Sequence, residues 1–298
     1  MANAQKLHKQ NKVGKTIAVH VVLVILSIIW LAPFVCIVLQ SFTSLDPALQ
    51  YAGETTGGLS AHIIPKAFSL DNYKWLLTSS DSKFLLWYKN TIIIAVLVSL
   101  GQTCMVLMVS YALSRMRFKG RTFLMKFWLI LGMFPGFLTM ICLYYLLKTL
   151  GLTQSNAVPG LILIGVASSG MGYYVCKGYF DTIPKSLDEA ARIDGASRAR
   201  IFFQMMLPFS KPIIIYTALV AFMAPWCDYI FASYVAFGNS KGYNVAVGLY
   251  QWTDTKSYAD MFTKFYAGGV LVAIPVVILF MALQKYYVEG VTGGAVKG

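Results

Sequence analysis

The chain alternates between long apolar stretches and shorter polar segments. A helix needs about 20 mostly apolar residues to cross a bilayer, because its backbone N–H and C=O groups must all be paired inside the segment. Six stretches of the 298-residue chain approach or exceed that length. They are residues 16–39, 91–113, 127–147, 157–176, 212–237 and 266–283. The pattern predicts an all-α polytopic membrane protein with six transmembrane helices.

The composition supports the same class. Hydrophobic residues make up 57% of the chain and charged residues 12%, whereas a soluble domain has roughly 25% charged residues. The mean hydropathy is +0.64. These values exclude a soluble enzyme and a disordered chain. The net charge of +13 does not require nucleic-acid binding, because a membrane protein carries positive charge on its cytoplasmic side.

The positive charges predict the orientation in the membrane. About two thirds of the 25 Lys and Arg residues fall in alternate segments that start with the N-terminus, and such residues are enriched on the cytoplasmic side. We therefore expect cytoplasmic termini, residues 1–15 and 287–298, on either side of a membrane domain over 16–286. A cleaved signal peptide is the competing interpretation for the first stretch, but 16–39 is longer than the 7 to 15 apolar residues of such peptides.

Two connecting segments are long. Residues 40–90 form the predicted extracytoplasmic loop, and residues 178–211 form the predicted cytoplasmic loop. Connections between bundled helices are usually 2 to 8 residues long. The cytoplasmic loop 178–211 is much longer, so we expect it to contain structure of its own.

The residues that membrane enzymes use are scarce. All three histidines lie in the first 62 residues without metal-ligand spacing, and the five cysteines lie in apolar stretches without paired spacing. No metal site and no cofactor site is predicted in this chain. A Gly-x-x-x-x-Gly-Lys-Ser/Thr phosphate loop is also missing from the sequence, so ATP-driven work would need a partner chain. A membrane-embedded enzyme is the disfavoured alternative.

Asp228 is the acidic residue within the fifth apolar stretch. A carboxylate inside a membrane segment is a functional candidate by default, typically in a transport pathway. The alternative is a structural hydrogen bond within the bundle, and the sequence leaves both open.

The cytoplasmic loop predicts a helical hairpin. Ser186 and Glu189 have the spacing of a capping box at the start of a first helix. Gly195 supplies a left-handed residue at its end, and Ser197 can cap a second helix that runs to Leu207 and Pro208. The apolar residues of the first helix would either dock on a partner protein or lie on the membrane surface.

The same loop carries a long motif. Glu189, Ala190 and Ala191 are followed after three residues by Gly195, and after nine more by Met205-x-Leu207-Pro208. This resembles the EAA loop of ATP-binding-cassette (ABC) importer permeases, with Met205 in place of Ile. Residues 64–73, 111–120, 178–184 and 287–298 are similar to the second permease subunit of carbohydrate importers, specifically the MalG-like maltose and maltodextrin permeases.

The resemblance implies a type I ABC importer permease fold and a role as a transporter subunit. The implied partners are a MalF-like second permease, two ATP-binding-cassette ATPase subunits that hold ATP and Mg, an extracytoplasmic sugar-binding protein and membrane lipid. A permease for another sugar or small solute is the alternative. The expected location is the bacterial cell membrane.

The resemblance also implies residue roles. The EAA hairpin would sit in a cleft of the ATPase and move as a lever when ATP closes the ATPase dimer. Its expected coupling residues are Glu189, Ala190, Ala191, Gly195, Met205, Leu207 and Pro208. The tail, residues 287–298, would reach the ATPase interface.

Overall fold

The computed structural model describes residues 2–49, 64–169, 171–253 and 261–292. Over these residues the chain is helical, with an isolated bridge between Thr43 and Phe68 and no named strand. The α-helices are α1 (Ala2–Ser41), α2 (Asp71–Thr78), α3 (Phe84–Arg115), α4 (Arg121–Gly132), α5 (Gly136–Thr149), α6 (Ala157–Ala167), α7 (Gly172–Thr182), α8 (Lys185–Ile193), α9 (Arg198–Ile201), α10 (Leu207–Phe209), α11 (Lys211–Cys227), α12 (Ile230–Ala236), α13 (Val245–Gln251) and α14 (Phe262–Thr292). The all-α prediction is confirmed.

Four helical segments are long and apolar enough to cross a membrane: Lys15–Ser41, Phe84–Arg115, Gln154–Thr182 and Phe262–Tyr286. Two further pairs, α4 with α5 and α9–α10 with α11, bend by 102° and 83°. If each bent pair is one span, the described part of the chain contains up to six, as the apolar pattern predicts.

Three predicted crossings are not continuous helices. The stretch 157–176 is divided between α6, which ends at Ala167, and α7, which begins at Gly172. The stretch 127–147 breaks between Gly132 and Gly136, because Pro135 has no N–H to donate and disfavours helical backbone in the residue before it. The stretch 212–237 is helical only as far as Cys227, and Asp228 adopts extended backbone before α12 begins. The apolar pattern predicted the positions of these crossings but not the breaks within them.

The chain divides into two compact units. The first comprises Met1–Ser79 and Trp252–Val270. Its centre is the buried Asn72, whose amide group donates to the carbonyls of Ser41 and Thr43 at 3.2 and 2.8 Å. The Asn72 side-chain oxygen accepts a hydrogen bond from Thr263 at 3.0 Å. One amide side chain thereby ties the end of α1 to the start of α14.

The second unit comprises Ser80–Gln251 and Leu271–Gly298, and α3 is its central helix. Helices α6, α7 and α11 pack along α3. Glycines permit the contact with α6: a Cβ on Gly101 would lie 2.6 Å from Val166, and one on Gly165 would lie 2.5 Å from Val98. Small residues at such crossings let helix backbones approach closely in a membrane.

The cytoplasmic end of this unit has its own core. It joins α3, α7, α8, the segment after α9, and α11. Its buried members are Val106, Leu107, Tyr111, Cys176, Phe180, Ala191, Ile201, Phe202, Met206 and Ile213. The cytoplasmic loop is therefore packed against the bundle at its base.

Candidate functional site

The first hairpin helix, α8, starts earlier than the capping box predicts. Pro184 is its N-cap residue, no side chain caps it, and Leu187 N–H donates to the Pro184 carbonyl at 3.3 Å. Proline's fixed φ suits a helix start. Ser186 therefore lies inside the first turn, where its backbone is helical and it cannot serve as the cap. The predicted capping box was wrong.

The turn of the hairpin follows the prediction. Gly195 has a φ of +78°. Gly195 N–H donates to the Arg192 carbonyl at 3.0 Å, and Ala196 N–H donates to the Ala191 carbonyl at 2.9 Å. This pair of bonds is a Schellman motif, which pairs the free carbonyls at the end of a helix. The left-handed glycine is confirmed.

The second half of the hairpin is also capped as predicted. The Ser197 hydroxyl accepts a hydrogen bond from Arg200 N–H at 3.2 Å and begins α9. The helix then widens into a π segment, Phe202–Met206, in which Leu207 N–H donates to the Phe202 carbonyl. The widened turn ends directly before Pro208, which has no N–H and would crowd the carbonyl four residues earlier.

A buried ion pair holds the hairpin to α3. Nε of Arg115 lies 3.2 Å from an Asp188 carboxylate oxygen, and the two side chains are 2% and 9% exposed. Nη2 of Arg115 also donates to the carbonyls of Phe180 and Ile183 at 2.9 and 2.7 Å. These bonds join the last turn of α3 to the segment that enters the hairpin.

Arg115 and Asp188 were not among the site residues expected from the sequence. A signal was present, because Asp188 lies within the first turn of the hairpin helix and Arg115 within the segment 111–120 that resembles carbohydrate permeases. An arginine at the end of a membrane helix is, however, equally typical of the positive-inside pattern. Only the fold brings the two residues together.

The hairpin divides the expected coupling residues between two faces. Ala191 is buried in the cytoplasmic core, and Met205 and Leu207 pack against that core. Glu189, Ala190, Gly195 and Pro208 are exposed. Ala191 was expected among the residues that contact the ATPase, but the helical twist carries it to the inner side of the hairpin.

The exposed face of the hairpin is apolar at its tip. The Ile193 residue is 87% exposed, and on the second half Phe203 is 63% exposed. Leu187 is also exposed. Such side chains outside the membrane helices are typical of a surface that contacts another protein.

Asp228 lies at the break after α11. One carboxylate oxygen accepts a hydrogen bond from Phe231 N–H at 3.2 Å, at the first turn of α12. Asn244 donates to the Asp228 carbonyl at 2.7 Å. Asp228 also lines a cavity of about 220 Å³ with Gln102 and Ser168 among mostly apolar residues. The structure thus gives it a structural bond and a place beside a cavity.

Two predicted regions are only partly described. Of the tail, residues 293–298 lie outside the described residues, as do the side chains from 287 onward. Within the predicted extracytoplasmic loop 40–90, residues 50–63 lie outside them as well. Among the residues that can be assessed, no group of three His, Cys, Asp or Glu side chains could hold a metal ion.

Fold and sequence define the class. Residues 105–293 match the family of binding-protein-dependent transport system inner membrane components, and the chain belongs to this family. It is therefore a multi-pass membrane permease of the ABC importer type, with the type I permease fold, and it is a transporter subunit rather than an enzyme.

Individual permeases and one solved transporter structure are similar to this chain. The chain is 39% identical to the galactooligosaccharides transport system permease protein GanQ of Bacillus subtilis, over 80% of this chain and 84% of that protein. It is 33% identical to the maltodextrin transport system permease protein MalD of Streptococcus pneumoniae over the whole of both chains. A crystal structure of a bacterial ABC transporter for the acidic polysaccharide alginate matches with a TM-score of 0.69 and 25% identity, over 91% of this chain and 95% of that one.

Proposed function

We propose that this chain is the MalG-like permease subunit of an ATP-driven oligosaccharide importer, and that its substrates are maltose and maltodextrins. The relatives named for maltodextrin transport support this substrate class. The pathway would form between this chain and a MalF-like second permease. An extracytoplasmic binding protein would deliver the sugar, and two ATPase subunits, which hold ATP and Mg, would drive the cycle.

The observation that carries the coupling role is the construction of the hairpin. Its base is held by the Arg115–Asp188 ion pair and by a buried core, while its tip exposes Ile193. An element that is rigid at its base and apolar at its tip transmits a push from a partner to the helices behind it. Glu189 and Ala190 lie on the accessible side, where they would contact the ATPase.

Asp228 is proposed as a pathway residue. It lines the cavity beside Gln102, and the Phe231 N–H of α12 holds one of its carboxylate oxygens in place. Sugar hydroxyls donate hydrogen bonds to carboxylate oxygens. The cavity lies next to the break between α11 and α12, and broken helices are typical of transport sites.

Co-expression of the tagged chain with the genes adjacent to its own tests the proposal. We expect ATPase activity to co-purify and to rise when a maltotriose-loaded binding protein is added. Ile193→Asp should lower the co-purified ATPase activity at least about tenfold, because it places a charge in an apolar contact. Ile193→Val retains an apolar side chain and should leave the activity near wild type.

A second control separates hairpin docking from general damage to the cytoplasmic side. Phe118 is 45% exposed in the loop between α3 and α4 and lies outside the hairpin. Phe118→Asp should leave ATPase recovery unchanged. A wild-type chain that recovers no ATPase, or an Ile193→Asp variant that recovers it fully, would refute the coupling proposal.

Galacto-oligosaccharides are the second candidate substrate class. The observation in their favour is the 39% identity to GanQ, which exceeds the identity to the maltodextrin permeases. The same preparation distinguishes the two, because a binding protein loaded with galactotriose would stimulate the ATPase in one case and maltotriose in the other. Stimulation by galactotriose alone would replace the maltodextrin assignment.

A further inference from the structure

A basic cavity of about 360 Å³ lies at the base of the hairpin. Its volume falls in the range of roughly 300 to 1,000 Å³ that is typical of small-molecule sites. It opens between the end of α3, the loop that follows, the start of α4 and the hairpin. The six cationic residues that line it are Arg115, Arg117, Arg121, Lys185, Arg192 and Arg198.

The charge of the cavity is unbalanced. Only two acidic residues, Asp188 and Glu189, line it against the six cations. The carboxylate of Asp188 is already paired with Arg115. Like charges gathered in one concave site raise the local potential and attract an anion, so the cavity has the electrostatic character of an anion site.

The buried side chain of Arg115 is a second observation that points to an anion in the cavity. Its side chain is 2% exposed, and its Nη2 donates to two backbone carbonyls. Its Nη1 is buried and has no hydrogen-bond partner within the described part of the chain. A buried N–H of a charged group that lacks an acceptor is costly. An anion in the cavity would supply the acceptor.

The position of the cavity indicates which anions can reach it. Arg115 is the last residue of one membrane helix, and Arg121 is the first residue of the next. The Lys and Arg distribution assigns this end to the cytoplasm. Basic pockets between membrane helices on that side bind anionic lipid headgroups, and the cavity is equally open to phosphate from the cytosol.

We propose that the cavity binds a phosphate group, carried by an anionic phospholipid or by free phosphate. Guanidinium groups present parallel N–H donors that match phosphate oxygens, and Arg115 has such a donor unused. The bound phosphate bridges Arg115 of α3 to Arg192 of α8. It thereby joins the membrane helix to the hairpin and stiffens the hairpin at its base.

The test uses the purified full-length chain without partners, so that its result is independent of the transport proposal. The chain is delipidated and placed in nanodiscs of phosphatidylcholine, with or without 30 mol% phosphatidylglycerol. Native mass spectrometry then measures the phosphatidylglycerol retained by the protein. In parallel, equilibrium dialysis measures radiolabelled inorganic phosphate bound in phosphatidylcholine nanodiscs alone.

The informative variant is Arg117→Gln/Arg192→Gln, because both residues line the cavity and neither belongs to the buried ion pair. We expect the variant to bind phosphate groups at least about tenfold more weakly, since it removes two charged donors and hydrogen bonds from charged groups are the stronger ones. Lys119→Gln is the matched control, because Lys119 lies in the same loop and does not line the cavity. It should bind like wild type.

The two binding measurements distinguish a lipid headgroup from free phosphate as the source of the bound group. Retention of phosphatidylglycerol that is lost only in the double variant assigns the site to a lipid headgroup. Binding of inorganic phosphate that is lost only in the double variant assigns it to free phosphate. The proposal is overturned if wild type binds neither probe, if the double variant binds like wild type, or if Lys119→Gln loses as much. Binding that disappears when an ATPase subunit is added would show that the cavity belongs to a protein contact, and would also overturn it.

Discussion

Replacement of Gly195 is the sharpest test of the hairpin geometry. Its φ of +78° lies in the left-handed region, and a Cβ built there has no atom within 4 Å. Any loss on substitution therefore comes from the backbone and not from a clash. Left-handed backbone costs an L-residue roughly 1 to 2 kcal/mol, with Asn the least affected and β-branched residues the most.

These values predict a graded series. Gly195→Asn should cost less than Gly195→Ala, which should cost about 1 kcal/mol, and Gly195→Val should cost about 2 kcal/mol or more. The strain is local to the turn, so the variants should lose ATPase coupling in the same order. Thermal unfolding of the purified chain and ATPase activity of the assembled complex measure the two effects.

Gly178 provides the matched control. It lies within α7 with ordinary helical backbone, and a Cβ built there also meets nothing within 4 Å. Gly178→Ala should therefore stabilise the chain by roughly 0.5 to 1 kcal/mol, since Ala is favoured over Gly in a helix. Equal effects of Gly178→Ala and Gly195→Ala, or a Gly195→Val variant with wild-type stability and coupling, would refute the argument from backbone conformation.

Three other predictions test the remaining features. Asp188→Leu should destabilise the chain by about 3 to 5 kcal/mol because it leaves Arg115 buried without its partner, and adding Arg115→Met should restore much of the loss; denaturant titration measures both. Gly165→Ala should cost roughly 1 to 3 kcal/mol of stability through overpacking against Val98, and Val98→Ala should relieve it in the thermal scan. Asp228→Asn retains an acceptor for the α12 backbone, so the variant should fold normally while sugar uptake in vesicles falls.

Each of these three predictions would be refuted by a specific result. An Asp188→Leu chain as stable as wild type would deny the ion pair its anchoring role. Loss of stability in Gly165→Ala that persists with Val98→Ala would place the strain elsewhere. Unchanged uptake by Asp228→Asn would leave Asp228 with only its structural hydrogen bond.

The class and the span positions follow from the sequence because the bilayer imposes them. A membrane helix must satisfy its own backbone over the hydrocarbon thickness, whatever its neighbours are. The hairpin turn was also predictable, since Gly195 and Ser197 act on backbone groups within a few residues. Local rules of this kind leave a direct mark in the sequence.

The breaks near Pro135 and Asp228 show the limit of such rules. Hydropathy is summed along a stretch, so it reports that 127–147 and 212–237 are apolar and not that the helix breaks within each of them. A proline in a membrane segment can kink a helix or end it. Which of the two occurs depends on the neighbours that satisfy the freed backbone groups.

The sequence by itself determined an apolar all-α membrane protein and a hairpin with a left-handed turn, because chain length, hydropathy and capping are local properties. The tertiary structure alone decided that Ala191 faces inward, that Arg115 pairs with Asp188, and that six cations surround one cavity. These facts join residues that are distant along the chain. Their energies come from burial and pairing, which exist only when the helices have packed.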